Sequence, residues 1–174
     1  MNHKVIQASL DDTSLIFSLF EQAIQYQKDN HYIGWNSFDK DFITADIKEG
    51  LLYKIMDGGD AQCIFCVCYS DKLIWREQEK GDAIYLHRIV LNRKFQGVKI
   101  FRTVLDWAVE TIHKKKLKFV RMDTWAGNTK LINYYKSYGF RFVENYTTGD
   151  TTDLPLQHRN LNVALLEFDP QLRK

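Results

Sequence analysis

Apolar residues at Leu15, Ile16, Leu19, Phe20, Ala23 and Ile24 recur at the spacing of one helix face. Asp11, Asp12 and Thr13 stand just ahead as N-cap residues, so a helix is predicted through about Gln27, behind a first strand over Val5 to Ala8. Ser37 is placed to cap a second, short helix that ends near Gly50, a residue suited to the position after a helix C-terminus. Leu51 to Met56 and Gln62 to Tyr69 flank Gly58-Gly59 and read as a hairpin. A polar excursion from Lys72 to Asp82 leads to a strand over Ala83 to Leu91. A helix over about Val98 to Lys114, a strand over Phe119 to Thr124 and a helix from Asn128 to Gly139 follow. Two last strands cover about 140–147 and 161–168. This order, β-α-α-β-β-β-α-β-α-β-β, predicts a mixed α/β fold, antiparallel by hairpin logic in the first half and built on strand-helix-strand crossovers in the second. No repeat, low-complexity tract or Pro/Gly/Ser linker divides the chain, so residues 1–174 are expected to form a single domain.

Composition narrows the class without changing this picture. The chain is 45% apolar and 26% charged, as ordinary globular domains are, and its net charge of +2 gives no global case for nucleic acid or an anionic membrane. The short basic run at Lys114, Lys115 and Lys116 falls where a helix should end, and cations there complement the helix dipole. No stretch has the roughly 18 apolar residues of a membrane span. Met1 to Lys4 run into a polar segment with no signal-like apolar core, so a cytoplasmic location is expected. Cys63, Cys66 and Cys68 sit in an apolar strand with no second Cys/His cluster at finger-like spacing. They read as small hydrophobes, and no metal is expected.

Two segments carry chemistry. In the first, the strand Tyr85 to Leu91 runs through a glycine-bearing turn, Gln96-Gly97, directly into a helix. Such a turn aims backbone N–H groups and a positive helix end at one point. The second runs from Asn128 through Tyr134-Tyr135 to Gly139-Phe140, with an N-cap at one end and a glycine stop at the other. Taken together they resemble the GNAT superfamily of N-acetyltransferases. The likeness is good from Tyr85 to about Tyr146 and rests on element order elsewhere. It implies a mostly antiparallel central sheet, splayed in the middle and flanked by helices on both faces.

The resemblance also implies an activity: transfer of an acetyl group from acetyl-CoA to a primary amine of a small molecule or peptide, by direct attack in a ternary complex. Tyr135 would then protonate the departing thiolate, and His87, directly or through water, would take the amine's proton. The strand end at Ile89, Val90 and Leu91 would bind pantetheine and polarise the thioester carbonyl. Gln96, Gly97, Val98, Lys99 and Ile100 would cradle the pyrophosphate, with Asn128 as a further cofactor contact or simply a helix cap. Strand alternation places Tyr85, His87, Ile89 and Leu91 on one face. Tyr32, Trp35, Tyr85 and His87 are the expected acceptor contacts. Trp75 and the 156–159 loop, with His158 and Arg159, are further edges of that cleft. One feature departs from the family pattern, because Lys99 and Phe101 stand where two small residues are usual. The alternative reading is therefore a GNAT-fold binding module with weakened cofactor affinity. Dimers are common in the superfamily, so a homodimer is among the expected partners, and nucleic acid and membrane are not.

Overall fold

The computed structural model describes residues 3–95 and 99–172. Its seven-stranded sheet has the order β1-β2-β3-β4-β5-β7-β6. The strands are β1 (Lys4–Gln7), β2 (Leu52–Asp57), β3 (Asp60–Cys68), β4 (Ala83–Leu91), β5 (Phe119–Trp125), β6 (Arg141–Thr147) and β7 (Asn162–Phe168). Helices α1 (Thr13–Asp29), α2 (Lys40–Lys48), α3 (Lys72–Trp75), α4 (Phe101–Lys115) and α5 (Thr129–Lys136) connect them. The mixed, mostly antiparallel sheet expected from the sequence is present: among its pairings only β4 with β5 is parallel. Here β7 inserts between β5 and β6, so α5 joins two strands that run the same way without touching.

Each sheet face has its own core. On one, α4 and α5 pack Phe101, Val104, Leu105, Ala108, Ile112 and Tyr135 against Ile84, Leu86, Val120 and Met122. On the other, α1 and α2 pack Ile16, Leu19, Phe20, Ile43 and Ile47 against Leu52, Ile64, Cys66 and Val90. The apolar positions singled out on α1 are buried apart from Leu15, as the periodicity requires. The cap of α2 differs from the expectation. Asp39, not Ser37, takes the position, its carboxylate accepting from the N–H groups of Asp41 and Phe42. Two acceptor oxygens on the side chain adjoining Lys40 outweigh a hydroxyl two residues before it, at Ser37. Gly50 does follow α2, at φ 71°.

The polar excursion folds as well. α3 buries Ile74 and Trp75 completely, and Trp75 joins Tyr85, Leu154, Val163 and Leu165 in a third cluster. Trp75 is thus a core anchor and not an edge of the cleft. Cys63 and Cys66 are buried and Cys68 partly so, and burial raises both buried thiols, Cys66 to about 11.

Two irregularities in β4 position the site. β4 pairs with β5 only from Ala83 with Phe119 to Leu86 with Met122; from His87 onward the edge toward β5 has no strand beside it. On the other edge, Cys66 faces His87 while Ile64 faces Val90, so Arg88 and Ile89 together oppose Phe65. This is a β-bulge, with Arg88 at φ 49°. It breaks the alternation. Arg88 joins His87 on the α1/α2 face, where its Nε donates to Cys66 Sγ and its guanidinium pairs with Asp46 of α2. Ile89 turns to the α4/α5 core and Val90 returns to the α1/α2 core, so the expected shared face of Tyr85, His87, Ile89 and Leu91 does not exist.

Candidate active site

Where β4 and β5 part, a cavity of about 240 Å³ passes through the sheet. Its β4 wall is Leu86 to Leu91 and its β5 wall Met122 to Trp125. Tyr134, Tyr135, Ile100 and Phe101 line it on the α4/α5 side. Ala23, Gln27, Trp35, Arg93 and His158 line it on the α1 side. Unpaired backbone on one wall and side chains from several segments on the others suit an extended polar ligand threaded through the gap.

His87 sits at the fork. Its Nε2 faces Asp71 Oδ2 at 3.3 Å and its Nδ1 faces Asp123 Oδ1 at 3.5 Å, and all three side chains are about nine-tenths buried. A neutral imidazole has one N–H, so it would turn a lone pair toward one of the two carboxylates. The doubly protonated ring presents an N–H toward each, although Asp71 Oδ2 makes no hydrogen bond of good geometry. Burial works to lower the His87 pKa, but the adjacent Cys68 sulfur, Asp123 and Asp71 outweigh it and hold the pKa well above the ordinary histidine value. Burial likewise favours a neutral Asp123, yet His87 keeps that carboxyl below its usual range. His158 takes the opposite course. Its ring centroid lies 5.9 Å from that of His87, and burial, with the Arg88 and His87 charges, pushes its pKa down to about 3. The site therefore sets a histidine whose pKa is raised, His87, with two carboxyl groups against it, beside one whose pKa is lowered, His158.

On the opposite face Tyr135 is buried on α5, its ring 4.8 Å from Phe101 and 5.5 Å from Tyr134. Burial raises its phenol further above the usual range, so it stays protonated at any physiological pH. The bulky Phe101 is accommodated: it is buried among Tyr134, Tyr135, Tyr138 and Phe140. α4 begins only at this residue, and the N–H groups of Arg102, Thr103 and Val104 donate to the carbonyls of Lys99 and Ile100.

The structure brings His87, Ile89, Val90, Leu91, Ile100, Trp35 and Tyr135 to one cavity. It does not bring Tyr85 there. Tyr85 is fully buried behind the fork, its hydroxyl accepting from Arg121 at 3.1 Å, because the bulge lies after it and leaves it in the paired half of β4. Tyr32 is exposed and stacks edgewise on Tyr26, outside the cavity wall. The Asn128 side chain caps α5 through Leu131 N–H at 3.0 Å, so helix capping accounts for it. Lys99 is exposed. Gln96, Gly97 and Val98 lie outside the described residues. Arg159 donates to the Leu154 carbonyl and braces its own loop.

Sequence reasoning missed Asp71 and Asp123; His158, expected as an edge of the cleft, lines the cavity. The single carboxylate within the Phe119–Trp125 strand was a usable signal for Asp123. Nothing local pointed to Asp71, which simply precedes α3.

The acetyltransferase (GNAT) family model matches residues 20–140. The uncharacterized N-acetyltransferase YesJ of Bacillus subtilis is 24% identical over 144 residues, covering 78% of this chain and 80% of its own. Among solved structures, a GNAT-family acetyltransferase from Listeria monocytogenes superposes with a TM-score of 0.75 at 21% identity, covering 96% of this chain and 94% of that one. YncA, a putative acetyltransferase from Salmonella typhimurium solved with acetyl-CoA, gives 0.66 at 14% identity and covers 100% and 97%. The forked β4–β5 pair, the through-sheet cavity and a family match across most of the chain agree: the protein belongs to the GNAT acetyltransferase family.

Proposed function

We propose that the protein transfers an acetyl group from acetyl-CoA to a primary amine, with the two substrates meeting in the β4–β5 fork. The observation that carries this reading is the cavity itself, which joins a protonated phenol on one face of the sheet to a histidine–carboxylate cluster on the other. Acetyl-CoA supplies the activated thioester. The unpaired edge of β4 from His87 to Leu91 offers backbone groups to an amide-bearing arm, and an N–H near Val90 or Leu91 donates to the developing oxyanion. Tyr135 donates its proton to the leaving sulfur.

The amine's proton goes to the Asp71–His87–Asp123 cluster, directly or through water. That cluster must first lose a proton, since His87 rests as the imidazolium. The rate is therefore low in acid and rises as pH climbs through the raised His87 pKa. Tyr135→Phe should lower kcat about a hundredfold with little change in acetyl-CoA affinity, read from steady-state thiol release and calorimetry. Unchanged turnover would remove Tyr135 from the mechanism.

One observation favours the second reading, a binding module with weak cofactor affinity. The first amides of α4 already have carbonyl partners within the 99–104 turn, which leaves fewer to meet a pyrophosphate. Calorimetric titration separates the two: saturable acetyl-CoA binding supports the enzyme, and silence at millimolar cofactor supports the module.

A further inference from the structure

Two kinds of polar group stand on the α1 side of the cavity. At the fork are acceptors, the carboxyl groups of Asp71 and Asp123, against His87. Arg93, which lies beyond the end of β4, and the amide of Gln27 are donors and line the same cavity as His87.

Arg93 follows β4 directly. Its backbone is fixed by Asn92, which donates from Nδ2 to the Ala61 carbonyl at 2.8 Å and accepts at Oδ1 from Lys94 N–H. The guanidinium carbon lies 3.5 Å from the centre of the Tyr26 ring. Stacking of this kind fixes the plane of the fork while leaving its in-plane N–H groups unused. Among the described residues Arg93 has no carboxylate partner and its buried Nε has no hydrogen-bond acceptor. That distinguishes it from the other arginines near the sheet: Arg88 pairs with Asp46, Arg121 with Glu167 and Arg76 with Glu144. A buried guanidinium N–H without an acceptor is costly unless a ligand supplies one.

Gln27 neighbours Tyr26 on α1. Its Oε1 accepts from Trp35 N–H at 3.0 Å, which turns the Nε2 donors away from that bond. Gly34 makes this arrangement possible, because a Cβ there would lie 2.1 Å from Gln27 Oε1 and 2.9 Å from Gln27 Cβ. Two donor groups with no acceptor between them match a carboxylate, whose two oxygens accept from a planar fork. Trp35 and Trp125, ring centroids 5.7 Å apart, line the cavity as apolar walls.

We propose that the acceptor substrate is an aminocarboxylate, with its carboxylate held by Arg93 and Gln27 and its amine presented to the Asp71–His87–Asp123 end. The inference rests on the acetyltransferase reading above and names the substrate class of that site.

The test uses matched pairs that share a skeleton and differ in the carboxylate: 4-aminobutyrate with propylamine, 6-aminohexanoate with pentylamine, and phenylalanine with phenethylamine. Thiol release is followed in the full chain, and binding of the same compounds is followed by calorimetry without acetyl-CoA. The carboxylate-bearing member of at least one pair should be preferred by about tenfold or more in kcat/KM or in affinity. Arg93→Gln should abolish that preference, raise KM for the aminocarboxylate about tenfold and leave KM for acetyl-CoA within twofold. Arg93→Lys should restore part of it. Equal or better use of the plain amines in every pair overturns the inference. So does an Arg93→Gln defect that appears in KM for acetyl-CoA, which would assign Arg93 to the cofactor's phosphates. If no carboxylate-bearing compound is acetylated or bound, the inference falls as well. The acetyl-CoA titration then shows whether the acetyltransferase reading falls with it.

Discussion

The two halves of β4 have the same length scale and opposite purposes. Ala83 to Leu86 is bonded on both edges and completely buried, and its side chains alternate regularly between two cores. His87 to Leu91 is bonded on one edge only, carries a bulge and places two consecutive polar side chains, His87 and Arg88, on one face. Regular pairing consumes backbone hydrogen-bond capacity, and chemistry at a strand requires some of it to remain. The bulge performs the conversion. It rotates the strand, ends its pairing with β5 and leaves a gap wide enough for a cavity.

The most severe way to break this contrast is to straighten the strand. Deleting Arg88 together with Asp46→Ala restores the alternation without leaving a buried carboxylate unpaired. The variant should retain a cooperative thermal transition and lose acetyl-CoA binding by about a hundredfold or more in calorimetry. Retained affinity would mean that the fork does not depend on the bulge. Next comes His87→Gln, which keeps the fork but removes its titrating group. A fall of about a hundredfold in kcat is expected in thiol-release assays, with KM for acetyl-CoA little affected. A rate within a few-fold of wild type would move the proton acceptor elsewhere.

Arg88→Leu tests the anchor of the bulged half. It leaves Asp46 unpaired at a site where the Arg88 side chain was 8% exposed and Asp46 17%, so a loss of about 3 kcal/mol is expected in denaturant unfolding. A change below about 1 kcal/mol would mean that Asp46 finds water instead. The mildest perturbation is Asp71→Asn. Removing one carboxylate lowers the His87 pKa, so the rising limb of the pH–rate profile should move to lower pH by about one unit. Linked stability follows the same sign. A His87 pKa raised in the folded state stabilises fully below the unfolded value and ceases to do so as pH rises through the folded one. Asp71→Asn should therefore reduce the difference in stability between pH 6 and pH 9, measured by urea titration at both values. A profile that does not move would separate Asp71 from the proton inventory of the site.

Much of this was legible in the residue pattern, and the limits have physical causes. Helical periodicity located α1 because a helix buries one stripe, and Asn128 and Gly139 bracketed α5 because capping chemistry is local. Tyr135 and His87, singled out through the resemblance, both line the cavity at the β4–β5 fork. The bulge left no mark, since Arg88 is not a residue that favours positive φ; its conformation is held by Asp46, 42 residues away. Missing it misassigned the face of Ile89, because one inserted residue inverts every later side chain, while Tyr85 precedes the bulge and stays in the paired half of β4. Asp71 comes from the β3–β4 connection, Asp123 from β5 and His158 from the β6–β7 connection, segments far apart in the chain. Their convergence is a property of topology, not of spacing.

That insertion of β7 also sets a schedule for synthesis. β6 emerges from the ribosome before β7, yet β7 is the strand bonded to it, and β5 too has its second edge open until β7 arrives. Residues 141–147 must wait, unpaired, while fifteen or so more residues are translated, about one to three seconds at typical elongation rates. The nascent chain can assemble β1 to β4 and both α1/α2 contacts in that time. The β5–β7–β6 part of the sheet is completed last, once residues 162–168 are available to pair.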